Sequence, residues 1–514
     1  MFLFSSCDSW IDVKPENQVT YTNYFETEKD VEGAAFQMFA AECAYIGCEG
    51  DYLKWLGILA DEWTDTYNAP RLGRASDLAN GWGESGWKSS YDIVFLANTI
   101  LENASRADMP KDRLNFWMGQ ASFTKGLAYF ELARTFGDAV ITRNSTSLEK
   151  YGRKPMLEVI DTAIVNAVKA YNLLPLFENL KDLSGAAITS KQYACKGAAV
   201  ALLAHLYAWR GSVIELYGLE GDAPADYQKS IDYCTLILDK KVGFYEMQPD
   251  PETLCAVMSK MGEYNKESIF ELELNPSETY AQTVRVLGAF LTGYPVDVNA
   301  TLATQKTKAF RLKWSTVQEM YETKDKRVDA YFYTNDEILN DLQTYPYIYL
   351  KKWREGIYFM SSSGSTATRM TGLRANQVQW RVAVIYLLRA ECRAKLEVAE
   401  AKEDLNEVRR RANATLYPAV GESDLRLAIF EERERELLYE HHRFADVVRN
   451  GKAYIQKYFG LSLSTNAGLE ENPIKYATDQ DLKDGMLFQP VPESAFLMNG
   501  LMRQTAYWLR YVKY

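Results

Sequence analysis

Histidine is scarce in this chain, with only His205, His441 and His442 among 514 residues. So few imidazoles leave little material for a Ser–His or Cys–His catalytic machine, and no Gly-x-Ser-x-Gly segment occurs. His441 and His442 directly follow Glu440, which is not the HExxH spacing that lets two histidines on one helix face bind zinc. The sequence therefore argues against the common nucleophile-dependent and zinc-dependent hydrolases.

Cysteine is also sparse, and its seven copies form no CxxC pair. Cys43 and Cys48 lie close together without a histidine nearby, so a structural metal site is not expected. Cys195, Cys234 and Cys392 fall in apolar helical stretches, which predicts buried thiols. We expect neither a metal nor another cofactor.

Two further absences concern partners. The net charge is −11, and no Lys/Arg stripe is available to neutralise a phosphate backbone, so nucleic acid is not an expected partner. No window reaches the roughly 18 uncharged apolar residues of a membrane span. The sequence thus predicts no transmembrane helix.

Aromatic residues, in contrast, are abundant, with 34 Tyr, 22 Phe and 11 Trp. A large core could account for them by itself. The alternative is an extended surface for flat amphipathic ligands, because Tyr and Trp combine an apolar ring with a polar tip.

The N-terminus is apolar, then small, then Cys7, a pattern similar to the end of a bacterial lipoprotein signal. This predicts a signal remnant at residues 1–7 with Cys7 as the lipid anchor, although the apolar part is short for a complete signal. Residues 8–22 would form a polar tether, and residues 23–514 one domain.

Hydrophobic periodicity predicts a mostly α fold, with helical hairpins over residues 87–240 and 378–412 packed against a loop-rich face with a few short strands. The predicted helices are residues 91–101, 116–136, 158–174, 190–210 (ended by Gly211), 227–238, 378–398, 402–412 and 424–450. Small residues on one face, as at Gly197, Ala201 and Ala204, favour close helix approach and tetratricopeptide-like hairpins. Residues 61–86 and 275–374 instead predict loops, where binding tends to lie.

Several segments resemble the SusD/RagB family, and they occur in the family's order. They are Trp87-Lys88-Ser89-Ser90-Tyr91-Asp92-Ile93, Phe136-Gly137-Asp138, Leu387-Leu388-Arg389-Ala390-Glu391, Val408-Arg409-Arg410-Arg411-Ala412, the run from Glu432 to Asp446, and Pro490-Val491-Pro492-Glu493. The chain departs from the pattern at His441, where the family has glycine, and at Gln504-Thr505-Ala506-Tyr507, which replaces a closing QNPGY.

The resemblance implies a non-catalytic lipoprotein exposed on the outer membrane surface. Such a protein captures oligosaccharide and delivers it to a SusC-like TonB-dependent transporter. A peptide-binding or protein-binding scaffold of the RagB type stays open as the alternative. A glycoside hydrolase is a further one, since Asp61 and Asp65 could act as paired carboxylates, although their spacing equally fits an exposed helix face.

Candidate ligand residues come from the two loop regions, where the resemblance implies ligand contacts. Trp82 lies between two glycines in a Gly-x-Gly-x-x-Gly run that no strand precedes, so a dinucleotide site is rejected and a projecting indole is expected. The other candidates are Trp63, Asp65, Tyr67, Arg71, Tyr280 and Tyr294. Trp87 is expected to be structural.

The charged run around Glu432, Glu436 and Glu440 places like charges four residues apart, which repel unless cations such as Arg433, Arg435 or Arg443 separate them. We predict a structural ion network that ties this helix to the helical layer.

Overall fold

The computed structural model describes residues 24–47, 62–63, 84–260, 262, 264–273, 292–305, 310–360, 367–459, 463–465, 468–470, 473–497 and 499–512. Helices dominate these residues, and the strands are short. The helices are α1 Glu28–Glu42, α2 Glu84–Asn103, α3 Lys111–Phe136, α4 Met156–Leu173, α5 Lys196–Tyr217, α6 Ala223–Leu238, α7 Pro251–Met258, α8 Leu302–Gln305, α9 Trp314–Met320, α10 Arg327–Tyr331, α11 Asp336–Asp341, α12 Val382–Lys395, α13 Ala401–Ala412, α14 Leu425–Glu436, α15 Arg443–Arg449, α16 Lys452–Tyr454 and α17 Asp479–Lys483. The strands are β1 Glu62–Trp63, β2 Ser268–Leu272, β3 Phe310–Arg311, β4 Gly356–Met360, β5 Ala367–Leu373, β6 Gln377–Arg381, β7 Leu463–Thr465 and β8 Gly468–Glu470.

Consecutive long helices pack against one another from α2 to α6, and α12 then packs on α6. Small residues set the closest approaches. A Cβ at Gly126 of α3 would lie 3.1 Å from the carbonyl oxygen of Ala163 in α4, and a Cβ at Gly211 would lie 2.9 Å from the ring of Tyr227 in α6. The predicted mostly helical fold is thereby confirmed. Its likeness to tetratricopeptide units stays a prediction.

The strands form two-stranded antiparallel pairs among the described residues, namely β1 with β3, β2 with β6, β4 with β5, and β7 with β8. The β2–β6 pair is buried on both faces, and Phe270 and Trp380 in it pack against Phe123 of α3. This pair therefore joins the loop-rich part of the chain to the helices.

Several predicted helix boundaries were wrong. The predicted helix over residues 190–210 is α5, which begins at Lys196, continues through Gly211 and ends at Gly218 in the left-handed conformation. Gly211 is a packing glycine, not a stop. The predicted helix over residues 378–398 begins as strand β6, because these residues pair with β2.

The predicted helix over residues 424–450 is interrupted between α14 and α15, where Tyr439 and His441 have φ of 61° and 54°. Carbonyl groups at this break accept hydrogen bonds from distant side chains. Tyr331 Oη and Arg381 Nη2 donate to Glu436, each at 3.0 Å, and Lys352 Nζ donates to Leu438 at 3.0 Å. The positive φ at His441 also explains why glycine suits this position in the family pattern.

Within the part of the chain that the structure describes, one helix, α5, has the length and composition of a possible membrane span, but nearly all of the relevant window is buried in the protein. Ala201 and Ala204 are fully buried there, and Ser230 of α6 donates to the Ala204 carbonyl at 2.9 Å. Helix α5 is therefore a core helix.

The predicted ion network exists, and its three central glutamates are buried. Arg327 donates to Glu432 at 2.6 Å, and Arg381 donates to Glu436 at 2.7 Å and to Glu440 at 2.8 Å. Burial alone would raise the pKa of each glutamate, but the surrounding cations outweigh burial and lower the pKa of each to about 2. The remaining members of the network are Glu267, Asp325, Lys352, Arg409, Arg411, Glu422 and Arg435.

The prediction of which cations separate these glutamates was only partly correct. Arg435 does contact Glu432, at 2.9 Å. Arg433 instead pairs with Asp446 and Arg443 with Glu434. Most of the neutralising charge comes from residues distant in sequence, which the local charge pattern cannot reveal.

Candidate functional site

A ladder of short extended segments crosses the loop-rich part of the chain. Its centre is residues 345–349, which we call the tyrosine segment. Ile348 N donates to the carbonyl of Leu312, and Trp314 N donates to that of Pro346, both at 2.9 Å. Because residues 312–314 continue from β3, and Phe310 of β3 pairs with Trp63 of β1, the ladder extends to β1. The two loop regions that the sequence predicts to bind ligand therefore meet.

Three tyrosines alternate along this segment, and the ring of Tyr345 contacts both of the others. The ring centroid of Tyr345 is 5.1 Å from that of Tyr347 and 6.3 Å from that of Tyr349. Tyr294 packs edge-on against Tyr349 at 6.1 Å. Tyr345 and Tyr349 in the middle of this aromatic row are buried, whereas Tyr294 and Tyr347 at its two ends are partly exposed.

Hydrogen bonds fix the rings in place. Tyr349 Oη donates to Asp341 Oδ2 at 2.8 Å, and burial together with this bond raises the pKa of Tyr349. Tyr358 of β4 donates to the carbonyl of Val296 at 2.8 Å and accepts from Val298 N at 3.0 Å. The loop after Tyr294 is therefore held against β4.

The tyrosine segment is attached to the ion network through the residues that follow it. Lys351 N donates to the carbonyl of Tyr331 at 2.7 Å. The buried Lys352 Nζ lies 4.3 Å from the ring centroid of Tyr331 and donates to Glu440 at 2.5 Å. Burial lowers the pKa of Lys352, although Glu440 acts in the opposite direction. The aromatic row thus has a rigid base in the helical layer.

Partly exposed rings on a rigid base can stack on the C–H face of a sugar while their hydroxyls reach polar groups. Two nearby carboxylates already have partners within the protein, because Asp341 accepts from Tyr349 and Asp297 accepts from Asn299 N at 3.0 Å. Within the described residues, no three His, Cys, Asp or Glu side chains are grouped to hold a metal ion. The arrangement suits ligand contact.

The sequence-predicted site residues are only partly covered by the structure. Tyr294 is described and joins the aromatic row. For Trp63 the structure gives the strand pairing of β1. Outside the described residues lie Cys7, Asp61, Asp65, Tyr67, Arg71, Trp82 and Tyr280. Their roles stay predictions. Trp87 was correctly assigned to the core, where it packs edge-on against Phe136 at 5.0 Å.

Sequence reasoning did not single out Trp314 or the three rings of the tyrosine segment. The run Tyr345-Pro346-Tyr347-Ile348-Tyr349 carries a signal, since every second residue is aromatic. That alternation predicts one aromatic strand face. Burial of Tyr349 could not be foreseen, because its ring is covered by Tyr294 and its hydroxyl is bound to Asp341.

Two family models match the chain. The SusD family model matches residues 266–508, and a second model, described as "Starch-binding associating with outer membrane", matches residues 58–208. SusD-like protein P2 of Formosa agariphila is 23% identical over 397 residues, which are 72% of either protein.

Solved structures share the fold. A SusD homologue from Bacteroides thetaiotaomicron superposes with a TM-score of 0.70 at 20% identity, covering 94% of this chain and 98% of the other. NanU of B. fragilis superposes with a TM-score of 0.66 at 17% identity, covering 96% and 99%. Proteins of this kind are generally binding proteins, not catalysts, and the second model's description points to the outer membrane. With its fold, its ordered motifs and both family models in agreement, the chain belongs to the SusD/RagB family.

Proposed function

We propose that this protein captures oligosaccharide at the cell surface without cleaving it and delivers it to a SusC-like TonB-dependent transporter. The observation that supports this most directly is the aromatic row, in which Tyr294 and Tyr347 are partly exposed above a rigid base. The family description, with its starch-binding association, supports a carbohydrate ligand.

In this proposal the ligand contacts Tyr294 and Tyr347 of the aromatic row and Trp63 at the β1 end of the ladder. It also contacts the candidates that lie outside the described residues, namely Asp65, Tyr67, Arg71, Trp82 and Tyr280. Each ring contact contributes roughly 0.5–1.5 kcal/mol beyond area burial, by analogy with aromatic pairs. Sugar hydroxyls are already hydrated, so each hydrogen bond adds only about 0.5–1.5 kcal/mol net. Modest affinity for one sugar unit is therefore expected.

Anchoring raises the effective concentration of a weakly bound ligand near its transporter. In this proposal Cys7 carries the lipid, and residues 8–22 tether the domain to the outer membrane. A panel of neutral and charged polysaccharides in affinity electrophoresis tests capture. We expect retarded migration on at least one gel; unchanged migration on every gel would contradict the proposal.

The two alternatives predict other outcomes. A peptide-binding or protein-binding scaffold would bind peptides and ignore all glycans. A glycoside hydrolase would release reducing ends from the polysaccharide that retards it. Assaying retained glycans for new reducing ends, with a peptide library measured in parallel, separates all three functions.

A further inference from the structure

All three histidines of this chain are buried, and their environments overlap. The rings of His441 and His442 stack with centroids 5.4 Å apart. His205 of α5 stacks on Trp380 at 5.2 Å, and its Nδ1 donates to the carbonyl of Ala201 at 2.8 Å. The Nε2 atoms of all three rings are buried and have no hydrogen-bond partner among the described residues. Burial therefore disfavours the imidazolium form of each ring.

The charges that face these rings come from several elements, and most are positive. His441 faces Glu440, Arg134 of α3 and Lys352. His442 faces Arg433 of α14 and Arg381 of β6. His205 faces Arg449 of α15. Acidic groups are close too, but Glu131 pairs with Arg134, while Asp446 and Glu391 pair with Arg449. Burial lowers the pKa of His441 to about 3, and burial also lowers the pKa of His442 well below its usual range.

His441 and His442 end the turn formed by residues 437–442, between α14 and α15. Tyr439 and His441 have positive φ, which residues other than glycine adopt only at a cost. The same turn provides the Leu438 carbonyl and the Glu440 carboxylate that bind Lys352. A small cleft lined by Leu437, Leu438, Tyr439 and Arg443 adjoins it. The turn therefore joins a strained backbone, two titratable rings and the base of the aromatic row.

We propose that residues 437–442 form an acid-operated latch: protonation of His441 and His442 opens the turn, releases Lys352 and loosens the aromatic row, so that ligand held at neutral pH is released in acid. The ligand part of this inference rests on the proposed function. Glu440, whose pKa is about 2, stays ionised at pH 5, so the pair with Lys352 is not lost through its own titration.

The expected shift of the equilibrium between the closed and the open turn follows from proton linkage. An exposed histidine titrates near pH 6.5, so at pH 5 each newly exposed ring favours the open turn by about 30-fold, and two rings by about 1,000-fold. His205 lies within α5 and keeps its contacts. The response is local, whereas general acid unfolding would include α4.

Hydrogen exchange followed by mass spectrometry tests the latch at pH 7.5 and pH 5, after correction for intrinsic exchange rates. We expect protection of residues 437–443 to fall at least about tenfold at pH 5, while the α4 peptide stays protected. The double variant His441→Asn/His442→Gln should keep its protection at pH 5, since asparagine tolerates the left-handed conformation. Equal protection of the wild-type turn at both pH values would overturn the latch.

Glu434 pairs with Arg443 beside the turn, and burial raises its pKa, so Glu434→Gln controls for that carboxyl. Loss of the acid response in this variant alone would assign the effect to Glu434 and contradict the histidine latch. If the double variant does not fold, the single variant His442→Gln should show a response reduced by about 30-fold.

Ligand release is measured separately, as retardation on the retaining polysaccharide gel at both pH values. Retardation that is lost at pH 5 in the wild type and kept in the double variant supports the coupling. Absence of retardation at pH 7.5 would contradict the proposed function while the exchange result still decides the latch. If the turn opens at pH 5 but retardation is unchanged, the coupling between the turn and ligand release is contradicted.

Discussion

Lys352 Nζ lies 2.5 Å from Glu440 Oε1, and neither side chain is exposed by more than 2%. This contact joins the residues that follow the tyrosine segment to the turn after α14. Glu440 also accepts from Arg381, so one carboxylate connects the ladder, β6 and the helical layer. A buried charge pair thus joins the residues after the aromatic row to the helical layer.

Replacing this lysine should therefore destabilise the whole protein. Lys352→Met leaves Glu440 buried with Arg381 alone, and loss of one partner of a buried pair costs about 3–5 kcal/mol. Chemical denaturation measures the free energy of unfolding. The matched control is Lys88→Met, since Lys88 forms an exposed pair with Asp92 and should lose less than about 0.5 kcal/mol. Equal losses for both variants would contradict the buried pair.

A second prediction concerns Glu42 in α1. Burial raises the pKa of this carboxyl to about 8, and the Thr124 hydroxyl offsets only part of the rise. The folded protein therefore keeps a proton that the unfolded chain releases, and this contribution to stability is lost as pH rises from about 4.5 to about 8.

In that window Glu42 should lower the free energy of unfolding by about 1.4 kcal/mol for each unit by which the pH rises. Glu42→Gln should remove this pH dependence, so the wild-type and variant unfolding free energies should approach each other at low pH and diverge towards pH 8. Denaturation at four or five pH values provides the comparison. Parallel curves would show that Glu42 is not a buried neutral acid.

Close packing of α5 on α6 gives a third prediction. A Cβ at Gly211 would lie 2.9 Å from the Tyr227 ring and 3.1 Å from the Ala223 carbonyl oxygen. Gly211→Ala should cost about 1–3 kcal/mol from overpacking, reduced by the better helix propensity of alanine.

Combining Gly211→Ala with Tyr227→Leu removes one of the two close contacts, so the double variant should lose less than the sum of the single losses. Thermal or chemical denaturation of the four proteins gives this coupling. Strictly additive losses in the free energy of unfolding would mean that the Tyr227 ring does not limit the space at Gly211.

Gly211 also illustrates what the sequence could predict. Periodicity gave the helices of the frame, because their apolar spacing is local. Periodicity could not decide whether Gly211 or Gly218 ends α5, because a glycine that ends a helix and a glycine that lets another helix pack closely have the same local sequence pattern. Only the tertiary contact of Gly211 with Tyr227 distinguishes them. The interruption after α14 was invisible for the same reason, because its hydrogen-bond donors Tyr331, Lys352 and Arg381 are distant in sequence.

The candidate site divides in a similar way. Sequence pattern and resemblance located both loop regions and included Tyr294, and the ladder from β1 to the tyrosine segment joins them. Which rings are exposed depends on tertiary neighbours. Tyr349 is closed off by Tyr294 and Asp341, while Tyr347 stays partly exposed.

Binding by the aromatic row gives the fourth and central prediction, tested by affinity electrophoresis on the retaining polysaccharide. Tyr294→Ala/Tyr347→Ala should weaken retention about tenfold or more, since two ring contacts of about 1 kcal/mol each are lost. Trp82→Ala is measured alongside it. Tyr476→Ala, at a tyrosine that is 60% exposed in another segment, is the matched control and should migrate like the wild type.

The most direct measurement combines this retention assay with an assay for reducing ends on the same glycan. We expect retarded wild-type migration, loss of retardation in the double tyrosine variant and no glycan cleavage. Unchanged retardation in the double variant, or release of new reducing ends by the wild type, would contradict non-catalytic capture by the aromatic row.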